Sequence, residues 1–411
     1  MVDNYCTIVD IGTSKVTALI GSYNHQTRLV DISGFGVAPC SGLRNGVIVN
    51  VKSVTDAINK AITEAEETDG NEARNIYIGI SGGNIQCKDS PGMAIVAHPD
   101  KEIEISDKAV AIETAKTIKI SEDHDFMHVF LKEYIVDEQR GIKDPLNMSG
   151  KRLEVVVYII TASYNAIHNA VKCVNEALNA KVETCSLSAV CSAYSVLTDE
   201  EKKLGVIMFD LGAGTSDIVA YNNSSIHHIS CFEEGGDQIT SEISRHFKCT
   251  LAESERLKIN YGCAVASLVG VDEMIDVQIV GSAQPQKYKR RQLAEIIEKK
   301  MTELLLKMKK KIIDNRLNEI AVCGIVLTGG VAEMKGIQEL FEKIIEIPAR
   351  LGEPYKITGF ISDKLKKNKF ASAVGLLNFV FEDDDLKNKY YRPDLYERIV
   401  KKFKEMIGQL F

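Results

Sequence analysis

Asp10 and Asp210 stand 200 residues apart in the same local setting. Each ends an apolar run and precedes a glycine turn bearing hydroxyls. The first run is Ile8-Val9-Asp10-Ile11-Gly12-Thr13-Ser14-Lys15, and the second is Ile207-Met208-Phe209-Asp210-Leu211-Gly212-Ala213-Gly214-Thr215-Ser216-Asp217. A third, Ile325-Val326-Leu327-Thr328-Gly329-Gly330-Val331-Ala332, ends in a glycine pair. Glycine lets backbone N–H groups approach an anion, and hydroxyls and Lys15 add donors. An Asp beside such a turn can hold Mg²⁺ through water, because that ion binds few carboxylates and keeps several of its waters. One such turn alone is more often a strand followed by a loop. Three of them, two nearly alike, suggest a nucleotide clamped between two similar halves.

The elements around the turns fit that arrangement. Residues 5–11 and 16–21 predict a hairpin with the first turn at its tip, and a third strand follows near Val30–Val37. Val47–Ala65 has helical spacing, with Val54, Ala57, Ile58, Ala61 and Ile62 on one face. Asn75–Ile80 is an apolar strand running into Ser81-Gly82-Gly83. Residues 84–160 read as an inserted unit, with a helix at Asp107–Lys119 and strands at Phe126–Tyr134 and Leu153–Ile160. Helices follow at Tyr164–Leu178 and Ser188–Leu197. From Gly205 the opening pattern recurs, with its second strand at Ile218–Tyr221. Then come helices at Gln238–His246 and Leu251–Ile259, and a long amphipathic one at Arg291–Ile313. A strand at Ile320–Thr328 brings the third turn. Helices at Gly336–Ile345 and Ala371–Phe381 complete the core.

Composition excludes several classes. A chain of 411 residues favours two or more domains, and 45% hydrophobic with 26% charged residues suits a globular protein. A net charge of −7 argues against nucleic-acid binding. The ten cysteines form no C-x-x-C pair, so they read as small core residues in a reducing cytosol rather than zinc ligands. A strand starts almost at once, which leaves no room for a signal peptide, and no apolar run approaches the ~20 residues of a membrane span. Eight histidines show no ligand spacing, and the basic cluster Lys307–Lys311 reads as a solvated helix face.

The end of the chain differs from the rest. Glu382-Asp383-Asp384-Asp385 and Pro393 mark a linker over 382–394. Beyond it, Leu395, Ile399, Phe403, Met406, Ile407, Leu410 and Phe411 fall on one helical face, beside four basic and two acidic residues. Such a helix, about 25 Å long, is too polar to span a bilayer and is suited to lying in its anionic surface.

Together these residues resemble the superfamily of actin, the Hsp70 ATPase and the sugar kinases. Asn75–Gly83, Gly141-Ile142-Lys143-Asp144-Pro145, Ser188 with Ala193-Tyr194-Ser195-Val196-Leu197-Thr198, and Ala371-Ser372-Ala373-Val374-Gly375-Leu376-Leu377 narrow the resemblance to FtsA, the bacterial cell-division actin homologues. It implies an α/β, actin-like (ribonuclease H-like) fold of duplicated halves around a nucleotide cleft. The first core would be 1–83 with 161–203 and 371–381, and the family-specific insert 84–160. The second core would be 204–240 with 320–370, and its outer subdomain 241–319.

The resemblance further implies ATP and Mg²⁺ as cofactors. Gly12, Thr13, Ser14 and Lys15 would form the first phosphate turn, and Gly212, Ala213, Gly214 and Thr215 the second. Asp10 and Asp210 would flank the metal. Gly329 and Gly330 would lie against the adenosine, with Glu255 and Lys258 at the ribose or base. Implied partners are the FtsZ tail on 241–319, with Arg290 and Arg291 as contacts, copies of the same chain in filaments, and later division proteins on 84–160. The implied place is the cytoplasmic face of the inner membrane at the division site, held there by Leu395–Phe411.

Two departures matter. Ala213 sits where a glycine is common, which adds one tolerable Cβ. More consequentially, Cys185-Ser186-Leu187-Ser188-Ala189 carries no carboxylate or carboxamide to orient an attacking water, so hydrolysis should be slow at most and no catalytic residue is assigned. Two rival readings stay open: a sugar or small-acid kinase, and an actin-like scaffold of type IV pilus assembly.

Overall fold

The computed structural model describes residues 5–82, 85–97 and 100–382. The expected linker beyond Glu382 and the expected helix 395–411 lie outside the described residues, as do Gly83 and Asn84. Two sheets of similar topology form the body. The first runs β11-β6-β1-β2-β3-β19: Val182–Leu187, Ile76–Ile80, Tyr5–Ile11, Lys15–Asn24, Leu29–Pro39 and Ile357–Thr358. The second runs β14-β13-β12-β17-β18: Ser225–Phe232, Ser216–Asn222, Val206–Leu211, Ile325–Thr328 and Ala349–Leu351. In each, an antiparallel hairpin (β1–β2, β12–β13) carries a glycine turn, and a parallel strand (β6, β17) lies on its other side.

Helices cover the first sheet. α1 (Val51–Asp69) buries Val54, Ala57, Ile58, Ala61, Ile62 and Ala65. It packs so closely on β3 that a Cβ at Gly36 would lie 1.9 Å from the Ala61 carbonyl oxygen. α3 (Tyr164–Leu178) packs beside α1. α4 (Ser188–Val196), almost wholly buried, and α11 (Ala371–Glu382) pack together between the sheets. α5 (Asp199–Leu204) leads into β12. Over the second sheet, α6 (Gly236–Phe247), α7 (Leu251–Tyr261), the ribbon β15–β16 (Met274–Val277, Gln286–Lys289), α8 (Arg290–Asp314) and α9 (Ile337–Ile345) share one core. The short α10 (Ser362–Leu365) precedes α11.

The insert is a sheet of order β7-β10-β8-β9 (Ile85–Ile95, Arg152–Ser163, His124–Val136, Gln139–Ile142) backed by α2 (Ile105–Ala115). It touches both halves. His128 Nε2 accepts from the Leu187 backbone N–H at 3.1 Å in the first, and Tyr158 Oη accepts from Ile229 N–H at 2.9 Å in the second.

Several expectations are corrected. The helix predicted from Val47 begins at Val51, capped by Asn50, whose side chain accepts from Ser53 N–H. Ahead of it, β4 (Leu43–Arg44) and β5 (Val47–Ile48) form a small hairpin across Asn45-Gly46. The strand predicted from Ile320 begins only at Ile325, because Gly324 takes a left-handed φ of +76° and turns the chain. The insert helix runs Ile105–Ala115 rather than 107–119, drawn N-terminal by Asp107, which accepts from Glu104 N–H. Strand β7 was not anticipated: it contains Pro91, which an edge strand tolerates. Ile357–Thr358 joins the first sheet through β3, so the stretch 320–370 does not belong wholly to the second. All ten cysteines are unpaired, and among the described residues no helix is long and apolar enough to cross a membrane.

Candidate functional site

The two hairpin turns are built alike. Gly12 N–H donates to the Lys15 carbonyl at 3.0 Å, and Gly212 N–H to the Thr215 carbonyl at 2.9 Å. A Cβ at Gly12 or Gly212 would lie 2.9 Å from that same oxygen, so each turn requires its first glycine. The register is also repeated: Asp10 faces Thr17, and Asp210 faces Asp217. The turns meet, since a Cβ at Gly214 would lie 2.5 Å from Thr13 Oγ1.

Helix α4 orients both carboxylates. Ser188 Oγ donates to Asp10 Oδ1 at 2.9 Å, and Ser192 Oγ, one helical turn on, donates to Asp210 Oδ2. Ser372 Oγ, at the start of α11, donates to Asp10 Oδ2 at 2.6 Å. Sequence reasoning missed these serines. The i, i+4 spacing of Ser188 and Ser192 was visible, but only the fold shows that one helix lies between both aspartates.

Burial destabilises every charge here. It pushes the Asp10 carboxyl up, opposed by the hydroxyls of Ser372 and Ser188 and by Lys15. Burial pushes Asp210 up to about 6, opposed by Ser192 and reinforced by the charge of Asp10. Burial raises Asp217 to about 8, and it lowers the Lys15 ammonium, which Asp10 supports. Ser216 Oγ, Asp217 Oδ1 and Thr17 Oγ1 are buried without a hydrogen-bond partner. Such orphaned groups cost free energy until a ligand or water satisfies them. A buried Asp10, a partly buried Asp210 and Lys15, and unfilled polar atoms beside glycine cradles therefore fit a hydrated divalent cation with an anion. Asp10 and Asp210 come from the two strand ends and Asp217 lies beside Asp210, a small oxygen set that suits Mg²⁺, which takes its remaining ligands from water and phosphate.

The third glycine pair divides its roles. Gly329 has φ +87°, and a Cβ there would lie 2.5 Å from Asp210 Oδ1. At Gly330 a Cβ would be tolerated, meeting only Lys369 Cβ at an ordinary contact distance of 3.9 Å. On α7, Lys258 is buried and committed: Nζ donates to the Gly236 carbonyl at 3.0 Å and Thr240 Oγ1 at 2.8 Å, and pairs with Glu255 at 2.8 Å. Glu255 stays partly exposed. The start of α6 ties this group to the second turn, because Gly236 and Asp237 N–H donate to the carbonyls of Gly212 and Ala213. Hydrogen bonds and close contacts thus link Gly12, Lys15, Asp10, Gly212, Gly214, Asp210, Gly329, Glu255 and Lys258 into one connected group.

The two basic residues expected at the start of α8 lie apart from it and differ from each other. Arg290 Nε donates to the Tyr261 carbonyl at 2.9 Å, and its guanidinium pairs with Glu273 at 2.7 Å, so it braces α7 against β15. Arg291 is more exposed and pairs loosely with Glu295 at 3.4 Å.

Two related sheets, each with a turn-bearing hairpin, and a shared helix between their aspartates define an actin-like fold. Solved structures agree. The PilM–PilN type IV pilus biogenesis complex matches with a TM-score of 0.66 at 16% identity, covering 92% of this chain and 99% of that one. MreB5 of Spiroplasma citri bound to ADP matches with a TM-score of 0.52 at 13% identity, covering 94% and 98%. Sequence comparison is more specific. The family described as cell division protein FtsA matches residues 207–375, and the SHS2 domain inserted in FTSA matches 82–161. Cell division protein FtsA of Pseudomonas aeruginosa is 37% identical over 371 residues, 90% of this chain and 88% of that relative. That of Escherichia coli K12 is 34% identical over 378 residues, 90% and 89%. The chain belongs to the FtsA family of cell-division proteins, which separates it from both rival readings, since the pilus likeness is one of fold alone.

Proposed function

We propose that this chain binds ATP with Mg²⁺ between its halves, assembles with copies of itself, and links the FtsZ ring to the cytoplasmic face of the inner membrane at the division site. The observation that carries the nucleotide reading is the convergence of two duplicated hairpin turns on Asp10 and Asp210, with α4 holding both. In this reading Gly12–Lys15 and Gly212–Thr215 cradle the phosphates, Asp10 and Asp210 hold the hydrated metal, and Gly330 with Glu255 borders the adenosine. Gly329 and Lys258 shape that border from behind.

Hydrolysis would be slow at most. The segment entering α4 offers Cys185, whose thiol burial raises to about 12, and Ser188, whose hydroxyl is already given to Asp10. Neither orients a water. The γ-phosphate would then act mainly by favouring one arrangement of the halves. Residues 241–319 would take the FtsZ tail, with Arg291 the freer of the two basic candidates. Residues 84–160 would take later division proteins, and Leu395–Phe411 the anionic membrane. Co-sedimentation with liposomes and FtsZ, with and without ATP, tests the reading. Removing residues 395–411 should abolish liposome binding and leave ATP binding intact; unchanged liposome binding would refute the membrane role.

A further inference from the structure

A cavity of about 310 Å³ opens between the halves beside the meeting turns. One wall is the β4–β5 hairpin, through Arg44 and Asn45; the other is α6 and α8, through Asp237, Ser241, Arg245 and Lys300. The hairpin turn is tight, with φ +51° at Asn45 and +78° at Gly46, the signature of a type I′ turn. Its tip is seated on both phosphate turns. Gly46 N–H donates to Thr13 Oγ1 at 3.3 Å, and a Cβ at Gly46 would lie 3.0 Å from Thr215 Cγ2. The hairpin is therefore fixed relative to the turns, and the residue before its tip faces the cavity.

The cations of this cavity are not equivalent. Arg245 is paired with Glu242 at 2.7 Å and Lys300 with Glu303 at 2.6 Å. Arg44 is exposed and has no ion-pair partner among the described residues. The turns themselves contribute one side-chain cation, Lys15, and its charge is set against Asp10 and Asp210. A triphosphate carries more negative charge than that balance can meet. An unengaged guanidinium on a hairpin seated over the turns has the planar fork that phosphate oxygens bind.

We propose that Arg44 binds the terminal phosphate of a nucleoside triphosphate, so that the β4–β5 hairpin distinguishes triphosphate from diphosphate. This rests on the nucleotide reading above. Equilibrium titration of the full chain with ATP and with ADP, Mg²⁺ present, tests it on wild type, Arg44→Ala and Arg44→Lys. Arg44→Ala should weaken ATP by roughly tenfold or more and ADP by less than about twofold, with Arg44→Lys in between because it keeps the charge but not the fork. An unchanged melting temperature without nucleotide shows that the loss is not unfolding. Equal weakening of ATP and ADP, or no change in either, overturns the role of Arg44. Failure of the wild type to bind either nucleotide overturns the nucleotide reading itself.

Discussion

The two halves hold the same carboxylate in different company. Asp10 accepts from two serine hydroxyls and is supported by Lys15. Asp210 accepts from Ser192, has Thr215 where the first turn has Lys15, and faces Asp217 where Asp10 faces Thr17. Burial raises all three carboxyls, Asp210 to about 6 and Asp217 to about 8, and Lys15 opposes the rise at Asp10 and Asp210 alike. The backbone is repeated and the side chains differ: the first turn carries Lys15, whereas the second carries Thr215 and no cation of its own. In the proposed site, Mg²⁺ would add positive charge beside both aspartates.

The sharpest way to break this comparison is steric. Gly12→Val places a side chain against the Lys15 carbonyl and should cut ATP affinity at least about 100-fold, measured by calorimetry. Unchanged affinity would remove the first turn from the site. The glycine pair sharpens the second half. Gly329→Ala combines a left-handed φ with a clash on Asp210, and should lower unfolding free energy by about 2–4 kcal/mol. Gly330→Ala makes only an ordinary contact with Lys369 Cβ and should change stability by less than about 0.5 kcal/mol. Comparable losses at both positions would refute the division of roles.

The halves also grip the insert differently, the first through an imidazole and the second through a phenol. Burial lowers the His128 pKa from 6.5 to about 3, so the ring is neutral in the fold. Its folded pKa lies below the unfolded value, so the unfolded chain takes up the proton first. This contribution is intact above about pH 6.5 and falls by about 1.4 kcal/mol per unit as pH drops toward 3. His128→Asn should flatten that part of the slope in urea unfolding at pH 7 and 5.5; an unchanged slope would contradict it. Tyr158→Phe leaves Ile229 N–H unsatisfied and should cost about 1–3 kcal/mol with no change in pH slope. The smallest effect expected is at Arg291→Ala, within about 0.5 kcal/mol of wild-type stability. Arg290→Ala, which removes a brace, should lose more, and equal values would contradict the assignment.

Much of this was legible in the sequence because strong local signals carried it. The continuous apolar runs at 5–11 and 206–211, the glycines that end them and the face of α1 need no tertiary context. The helix Tyr164–Leu178 matches its predicted limits for the same reason. What sequence did not disclose depends on distant partners or very short elements. Ser372 reaches Asp10 across 362 positions, and nothing local marks it. The β4–β5 hairpin has strands of two residues, so the apolar spacing from Val47 passed for the start of α1, although Asn45-Gly46 was a turn signal in plain view. Strand β7 was hidden by Pro91 and by the polar residues of an edge.

The central claim is that both turns and both aspartates form one site for Mg²⁺ and nucleotide. Its most direct test is calorimetric titration with ATP, Mg²⁺ present or chelated, on wild type, Asp10→Ala and Asp210→Ala. Wild type should bind ATP more tightly with Mg²⁺, and Asp210→Ala should remove that gain and weaken binding about 100-fold. Asp10→Ala, which frees Lys15 for the phosphates, should weaken it only about tenfold. ATP affinity unaltered in both variants, and indifferent to Mg²⁺, would contradict the account.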